Sequence, residues 1–245
     1  KESITVRQAM AFARRGYCTL ALSYFDCPQT KDLAFTPPEE LVRVDLKHIT
    51  ERALARMRDF EFVDERSVGV CGASRGAEHA LILASLAEGG SKGAPDYVVS
   101  ISPVAYICGG ISKEIAQMFS RGEESLGHGL PSWSYDGVDL TPGDVIAFEQ
   151  IKVPFLITAC SKDPIWETED DILDIKSRLL QKEVPFVEHE LAVLKGKKIS
   201  MKKGQNHIVN IPIEGHCYPD PTVHPELMEG LKTALYDFVA LHSKV

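Results

Sequence analysis

The clearest indication of the fold is one stretch of the sequence, Ser67-Val-Gly-Val-Cys-Gly-Ala-Ser-Arg-Gly-Ala-Glu-His-Ala-Leu81. Residues 67–71 form a short apolar run, as expected of a strand that is buried on both faces, and residues 77–86 are rich in Ala, Leu and Ile, which predicts a helix. Between them, Gly72-Ala-Ser-Arg-Gly76 matches the G-x-S-x-G pattern. The match is meaningful in this context, because a strand-to-helix turn holds the serine hydroxyl exposed above a sheet. The stretch therefore predicts a nucleophile at Ser74, against the alternative of a tight turn with a passive serine.

Outward from this turn, apolar runs of strand length alternate with helical patterns. The chain begins with an amphipathic helix that carries Ile4 and Phe12. Further strands are predicted at 17–25, 96–102, 153–159 and 186–194. Further helices are predicted at 39–60, 169–181 and 225–241. Residues 109–145, which are rich in Gly, Ser and Pro, predict a long excursion over the edge of the sheet. The alternation predicts an α/β fold with a doubly wound, mostly parallel sheet and helices on both faces.

Length and composition fit one soluble α/β domain that covers residues 1–245. Hydrophobic residues make up 44% of the 245 and charged residues 25%, which excludes collagen-like, disordered and disulfide-scaffold classes. A net charge of −8 disfavours nucleic acid as a partner. The apolar runs are much shorter than the roughly 20 residues of a membrane span. We therefore expect a partner that is a small molecule.

The six cysteines are scattered and contain no C-x-x-C pair. They lie mostly in apolar runs, which is typical of reduced core residues, and a zinc site would need clustered ligands. We therefore expect a cytoplasmic protein without a metal site.

The catalytic acid of a serine nucleophile on this fold follows a late strand. The run 153–159 is followed by Asp163, which is the favoured acid. Its rivals fit better as acids in the first turn of a helix; they are Glu167, Asp170 and Asp171.

The catalytic base is expected in a loop between the last strand and the last helix. His216 occupies this position, in the order Ser, Asp, His along the chain. His207 and His224 flank it and remain competing candidates. The backbone N–H of Arg75, at the predicted helix N-terminus, is the expected oxyanion donor.

The densest cluster of cations in the chain lies shortly before His216. It consists of Lys195, Lys197, Lys198, Lys202 and Lys203. Such a cluster suits the phosphates of a coenzyme A ester, with Lys197 and Lys198 as candidate substrate contacts, although runs of this kind are often solvated loops.

Four segments resemble a known family. They are Ala13-Arg-Arg-Gly-Tyr-Cys-Thr-Leu-Ala-Leu-Ser-Tyr-Phe25, Val68-Gly-Val-Cys-Gly-Ala-Ser-Arg-Gly-Ala-Glu-His-Ala-Leu81, Asp163-Pro-Ile-Trp166 and Gly215-His216. Together they resemble the C-terminal catalytic domain of the acyl-CoA thioesterase and bile acid-CoA:amino acid N-acyltransferase family, which has an α/β-hydrolase fold. The resemblance implies a triad of Ser74, Asp163 and His216 and marks Trp166 as a substrate contact.

Three features depart from the family. Arg75 replaces the lysine of its Gly-x-Ser-Lys-Gly-Ala-Glu turn, and the first strands of the fold, with the loop that supplies the second oxyanion N–H, are expected to be missing before Lys1. Eukaryotic members also carry an N-terminal β-sandwich, for which the chain has no room. Acyltransferase members use cysteine as nucleophile, so Ser74 favours hydrolysis over transfer to an amine.

The sequence thus predicts a serine hydrolase that cleaves an acyl thioester through an acyl-enzyme, without a cofactor. A carboxylesterase or dienelactone-hydrolase-like enzyme that acts on small esters is the first alternative, because many activities share this fold. A non-catalytic binding protein on the same scaffold is the second.

Overall fold

The computed structural model describes residues 4–24, 43–110, 112–114, 117, 121, 129–191 and 199–243. In chain order its elements are α1 (Ile4–Ala13), β1 (Val44–Asp45), α2 (Arg52–Arg58), β2 (Val70–Ala73), α3 (Arg75–Leu86), β3 (Val98–Ile101), β4 (Trp133–Tyr135), β5 (Val138–Asp139), β6 (Phe155–Lys162), α4 (Thr168–Gln181), β7 (Phe186–Glu190), β8 (Asn206–Glu214) and α5 (Pro225–His242). A π-helical turn, Lys47–Glu51, runs into α2, and a 3₁₀ turn, Phe148–Gln150, precedes β6.

The main sheet has the strand order β2-β3-β6-β8-β7, and every pair in it is parallel. Alternate side chains of a strand point to opposite faces, and here each face has a hydrophobic core of its own. Phe155 and Ile157 of β6 pack on one face with residues of α2, α3 and α4, whereas Leu156 packs on the other with Leu231 and Phe238 of α5. Helices on both faces of a parallel sheet confirm the predicted doubly wound α/β-hydrolase architecture.

Parallel strands place all their carboxyl ends at one edge of the sheet. The residues that directly follow β2, β3 and β6 are Ser74, Ser102 and Asp163, and His216 comes two residues after β8. Polar residues from four neighbouring strands therefore meet at this edge, where ligand sites form in open α/β sheets.

The predicted strand at 17–25 is wrong over its described residues. Residues 17–24 belong to neither sheet, and Leu20 is 52% exposed. An apolar run becomes a strand only if a neighbouring strand supplies a hydrogen-bond ladder. Here the run packs through its aromatic side chains instead: Tyr17 contacts Phe12, and Tyr24 contacts Trp133.

The sequence patterns did not indicate strand β8, the hairpin β4–β5 or the short strand β1. Strand β8 lies inside the sheet between β6 and β7, although Pro212 interrupts its apolar pattern. The hairpin turns at Asp136 and Gly137, which both have positive φ, and β4 also pairs with β1. The segment predicted as helix 39–60 is thus a short strand followed by a helix over its described residues. Residues 39–42 lie outside the described part.

Candidate active site

Ser74 lies on a strained turn between β2 and α3. Its φ is 53° and its ψ is −122°, a region that residues with a side chain rarely adopt. The Ser74 N–H donates to the carbonyl of Ile101 at 2.9 Å, which ties the turn to β3. The backbone of Gly76 lies so close to Gly72 that a Cβ on Gly72 would be 1.8 Å from the Gly76 carbonyl oxygen. Gly72 can therefore carry no side chain. The turn has the geometry that the sequence pattern predicted.

The structure brings together the three residues that the sequence nominated as a triad. Ser74 Oγ lies 3.0 Å from His216 Nε2. On the other side of the imidazole ring, His216 Nδ1 lies 2.8 Å and 3.0 Å from the two carboxylate oxygens of Asp163. The Asp163 side chain is fully buried, while His216 is partly exposed. Asp163 can therefore hold an Nδ1–H tautomer, which leaves the Nε2 lone pair directed at the serine hydroxyl.

Asp163 is itself held by the turn that follows β6. Its Oδ1 atom accepts the backbone N–H groups of Ile165 at 2.8 Å and Trp166 at 3.2 Å, as in an Asx-turn. The carboxylate thus faces His216 with little freedom to rotate.

Trp166 contacts all three members of this group. Its indole N–H donates to Ser74 Oγ at 3.3 Å, its backbone N–H donates to Asp163, and its ring centroid lies 6.1 Å from that of His216. The side chain is buried among Val104 and Cys108. The sequence singled out Trp166 as a substrate contact, but its position beside Ser74 Oγ was not foreseen.

Arg75 is the first residue of α3, so its backbone N–H has no acceptor within the helix. The side chain of Arg75 is anchored by an ion pair with Glu78 at 2.6 Å, and both side chains are buried. This pair keeps the first turn of α3 fixed beneath Ser74.

Glu78 is a residue whose part in the site the sequence analysis missed. Besides Arg75, it accepts the Cys108 N–H at 2.7 Å and the Trp133 indole N–H at 2.8 Å, and it is fully buried. Burial raises the pKa of Glu78 to about 7, against the lowering effect of Arg75 and the N–H donors. The glutamate of the Gly-x-Ser-Lys-Gly-Ala-Glu turn, which Glu78 matches, was the signal that could have found it.

The rival acids take other positions. Glu167 directly precedes α4, and Asp170 lies on its first turn, as expected. Asp171 is buried, and its Oδ1 accepts the Ala105 N–H at 2.9 Å. Burial raises the pKa of Asp171 to about 6. Its carboxylate thus fixes the chain after β3 instead of facing a histidine.

Of the two rival bases, His207 is placed away from the serine. His207 is fully buried at the amino end of β8, where its Nδ1 lies 3.0 Å from Nε2 of His189. His224 directly precedes α5. Because β8 is nine residues long, about 30 Å of strand separates its two ends, and His207 is at the end opposite His216.

The lysine cluster does not surround the site as a unit. Lys202 and Lys203 are exposed just before the amino end of β8, so they belong to the edge of the sheet remote from Ser74. Lys195, Lys197 and Lys198 lie outside the described residues.

No helix within the described ranges has the length and apolarity needed to cross a bilayer. Among those same residues, no cluster of three or more His, Cys, Asp or Glu side chains could hold a metal ion.

Comparison with solved structures gives distant similarities. The structure of Porphyromonas gingivalis dipeptidyl peptidase 4 matches with 13% identity and a TM-score of 0.41, over 80% of this chain and 24% of that one. Pyrococcus horikoshii acylaminoacyl peptidase matches with 10% identity and a TM-score of 0.39, over 77% of this chain and 28% of that one. The chain thus spans about a quarter of the length of each. No curated protein matches it.

A family model gives the assignment. The model described as BAAT / Acyl-CoA thioester hydrolase C terminal matches residues 44–192, which include Ser74, Asp163 and Trp166. The match covers more than half of the chain and supports a hydrolase that acts on a small molecule. The chain belongs to the BAAT / acyl-CoA thioester hydrolase C-terminal family.

Proposed function

We propose that this protein is a serine hydrolase that cleaves an acyl thioester, of the acyl-CoA type, through an acyl-enzyme on Ser74. The observation that carries the proposal is the pair of contacts at His216, with Nε2 3.0 Å from Ser74 Oγ and Nδ1 2.8 Å from Asp163. A serine hydroxyl becomes a competent nucleophile when an oriented base accepts its proton, and these distances suit that transfer.

In the acylation step, His216 Nε2 takes the proton of Ser74 Oγ while Oγ forms a bond to the thioester carbonyl carbon. The carbonyl oxygen becomes an oxyanion, which the N–H of Arg75 at the start of α3 stabilises together with the positive end of the helix dipole. The carbon–sulfur bond then breaks, and the proton on His216 passes to the departing thiolate sulfur, which gives the free thiol. Asp163 stabilises the imidazolium that forms between these events.

In the deacylation step, His216 removes a proton from water, whose oxygen attacks the ester carbonyl of acylated Ser74. The bond between Oγ and the acyl carbon breaks, and the proton returns to Oγ. The products are a carboxylic acid and the free enzyme. None of these transfers requires a metal or an organic cofactor.

The leaving group distinguishes the thioesterase from the small-ester hydrolase. Membership of the family supports a thioester, whereas the triad geometry suits both substrates equally. A panel of acyl-CoA and p-nitrophenyl esters, assayed with wild type and with His216→Ala, tests the proposal. We expect acyl-CoA turnover by wild type and a loss of at least about 10³-fold in kcat for His216→Ala. Turnover of p-nitrophenyl esters alone would favour the esterase.

We also propose a cytoplasmic location. The cysteines of the described residues, Cys18, Cys71, Cys108, Cys160 and Cys217, are free thiols, which supports a reducing compartment.

A further inference from the structure

Ser102, directly after β3, lies between the nucleophile and the acid. It is fully buried and has a φ of 51°. Its N–H donates at 2.7 Å to the carbonyl of Thr158 on β6, the strand that leads to Asp163. The carbonyl of the preceding residue, Ile101, accepts the N–H of Ser74. The carboxyl end of β3 is thus tied both to the turn that carries the nucleophile and to the strand that carries the acid.

The Ser102 side chain adds the third tie, to the loop that carries the base. Its Oγ accepts the backbone N–H of Cys217 at 3.1 Å, and Cys217 directly follows His216 in the chain. Cys217 is buried and has a φ of 63°. Left-handed backbone is unfavourable for a residue with a side chain, so this conformation persists only where surrounding contacts hold it.

Two further hydrogen bonds complete the loop. The N–H of Gly215 donates to the carbonyl of Lys162 at 3.2 Å, and the N–H of Tyr218 donates to the carbonyl of His216 at 2.7 Å. The bond from Gly215 fastens the chain just before His216 to β6. The bond from Tyr218 closes the turn that contains His216 and Cys217. On the far side of His216, the backbone N–H of Cys217 is tied to the sheet by its bond to Ser102, and the Cys217 thiol also contacts the backbone of Ser74.

The identity of residue 102 follows from these contacts. Glycine would adopt a φ of 51° at lower cost, but it would leave the buried N–H of Cys217 without its acceptor. A serine is small enough for the buried site and supplies that acceptor. The need for a hydroxyl acceptor therefore explains why residue 102 is a serine and not a glycine, although its φ is positive.

We infer that Ser102 is a positioning residue for the base: it holds His216 at hydrogen-bond distance from Ser74 through the backbone of Cys217. This inference rests on the proposed function. Displacement of a catalytic group by about 1 Å can cost roughly 100-fold in rate, so the loop needs such a tie.

Two variants of Ser102 test the inference. Ser102→Ala removes the acceptor and keeps the unfavourable backbone, whereas Ser102→Gly removes the acceptor and relieves the backbone, so it guards against loss of folding. Ser100→Ala is the matched control, because Ser100 is also a fully buried serine on β3, and its Oγ donates to the Ala77 carbonyl at 3.3 Å. We expect both Ser102 variants to lower kcat by roughly 10- to 100-fold with KM nearly unchanged, and Ser100→Ala to keep the wild-type kcat.

A double-mutant cycle with His216→Ala separates positioning from a general structural effect. If Ser102 acts through His216, then Ser102→Gly lowers kcat in the wild-type background and has no further effect in the His216→Ala background. An equal loss in both backgrounds, or an unchanged kcat for Ser102→Gly, overturns the inference while the proposed function stands. Absence of all turnover by wild type overturns the proposed function and the inference with it.

Discussion

The indole N–H of Trp166 donates to the Oγ atom of Ser74 at 3.3 Å. An indole N–H can only donate, so Oγ is the acceptor in this contact. The proton of the serine hydroxyl is then free to point at His216 Nε2, 3.0 Å away. Trp166 thus sets the direction of the hydrogen bond along which the proposed proton transfer takes place.

Trp166→Phe should lower kcat by about 10-fold and change KM less, because the lost contact is to the reacting oxygen. Replacement of Trp166 by 3-benzothienylalanine is the sharper variant, since it keeps the ring shape and exchanges the N–H for sulfur. Both variants should slow the acylation burst with a p-nitrophenyl ester to a similar extent. If the benzothienyl variant kept the wild-type burst rate, ring packing and not the N–H would be the contribution of Trp166.

Glu78→Gln should destabilise the fold by about 3 kcal/mol, in the range found when one partner of a buried ion pair is removed. The partners of Glu78 are Arg75, the Cys108 N–H and the Trp133 indole N–H, which all donate. One amide hydrogen of glutamine would therefore face a donor. Urea unfolding at pH 9, where a carboxyl group with a pKa of about 7 is ionised, measures the change. Glu88→Gln, at an exposed position, is the control and should stay within about 0.5 kcal/mol; an equally small change for Glu78→Gln would contradict the account.

The residues of the candidate site differ in how well the sequence predicts them. The strand-to-helix turn at Ser74 was predictable because close packing of Gly72 against Gly76 leaves a local signature. Asp163 was predictable because it follows the predicted strand at 153–159, and His216 because it lies between the last predicted strand and the last helix. Glu78 and Ser102 act through contacts with Cys108 and Cys217, which are 30 and 115 positions away in the chain, and no local pattern reports such contacts.

The errors in the predicted fold have equally specific causes. The run at 17–25 has the composition of a buried strand, but strand formation depends on a pairing partner that composition does not reveal. Strand β8 was missed because Pro212 and its polar residues mask an alternating pattern. The hairpin β4–β5 carried a usable signal in Asp136-Gly137, which is a common turn pair with positive φ.

His79 should contribute a loss of stability as the pH falls below about 6.5, whereas the raised pKa values of Glu78 and Asp171 contribute in the opposite direction. Burial, with Arg75 nearby, lowers the pKa of His79 from 6.5 to about 3 in the folded state. The unfolded chain therefore takes up a proton between these values while the folded chain does not, so stability is lost as the pH falls through this window, by up to about 1.4 kcal/mol per pH unit.

The variant His79→Gln should reduce this slope by about one proton, as measured from urea midpoints between pH 4 and 7. Burial also lowers the pKa of His189, His207 and His242, so part of the slope should remain. An unchanged slope would mean that His79 takes up its proton in the folded state as readily as in the unfolded chain.

Two double variants of the lysine cluster test whether the substrate is an acyl-CoA. Each removes two positive charges, so one serves as the control for the other. Lys197→Gln/Lys198→Gln should raise KM for an acyl-CoA with little change in kcat, because contacts remote from the carbonyl act alike on the ground and transition states. Lys202→Gln/Lys203→Gln should leave KM unchanged, since these residues precede β8 at the remote edge of the sheet.

The effect on KM should shrink with added salt, because exposed charges are screened over about 8 to 10 Å at ordinary ionic strength. A neutral p-nitrophenyl ester should be indifferent to both double variants. Equal effects of the two double variants on acyl-CoA, or equal effects on both substrates, would rule out a phosphate contact at Lys197 and Lys198.

Mass-spectrometric mapping of the protein after reaction with a fluorophosphonate tests directly whether Ser74 is the nucleophile. We expect one phosphonylated residue, Ser74, in wild type and no labelling of Ser74→Ala, with His216→Ala labelled far more slowly. The probe requires an activated hydroxyl, so the result does not depend on the identity of the natural substrate. Labelling of wild type at another residue, or undiminished labelling of Ser74→Ala, would contradict the claim.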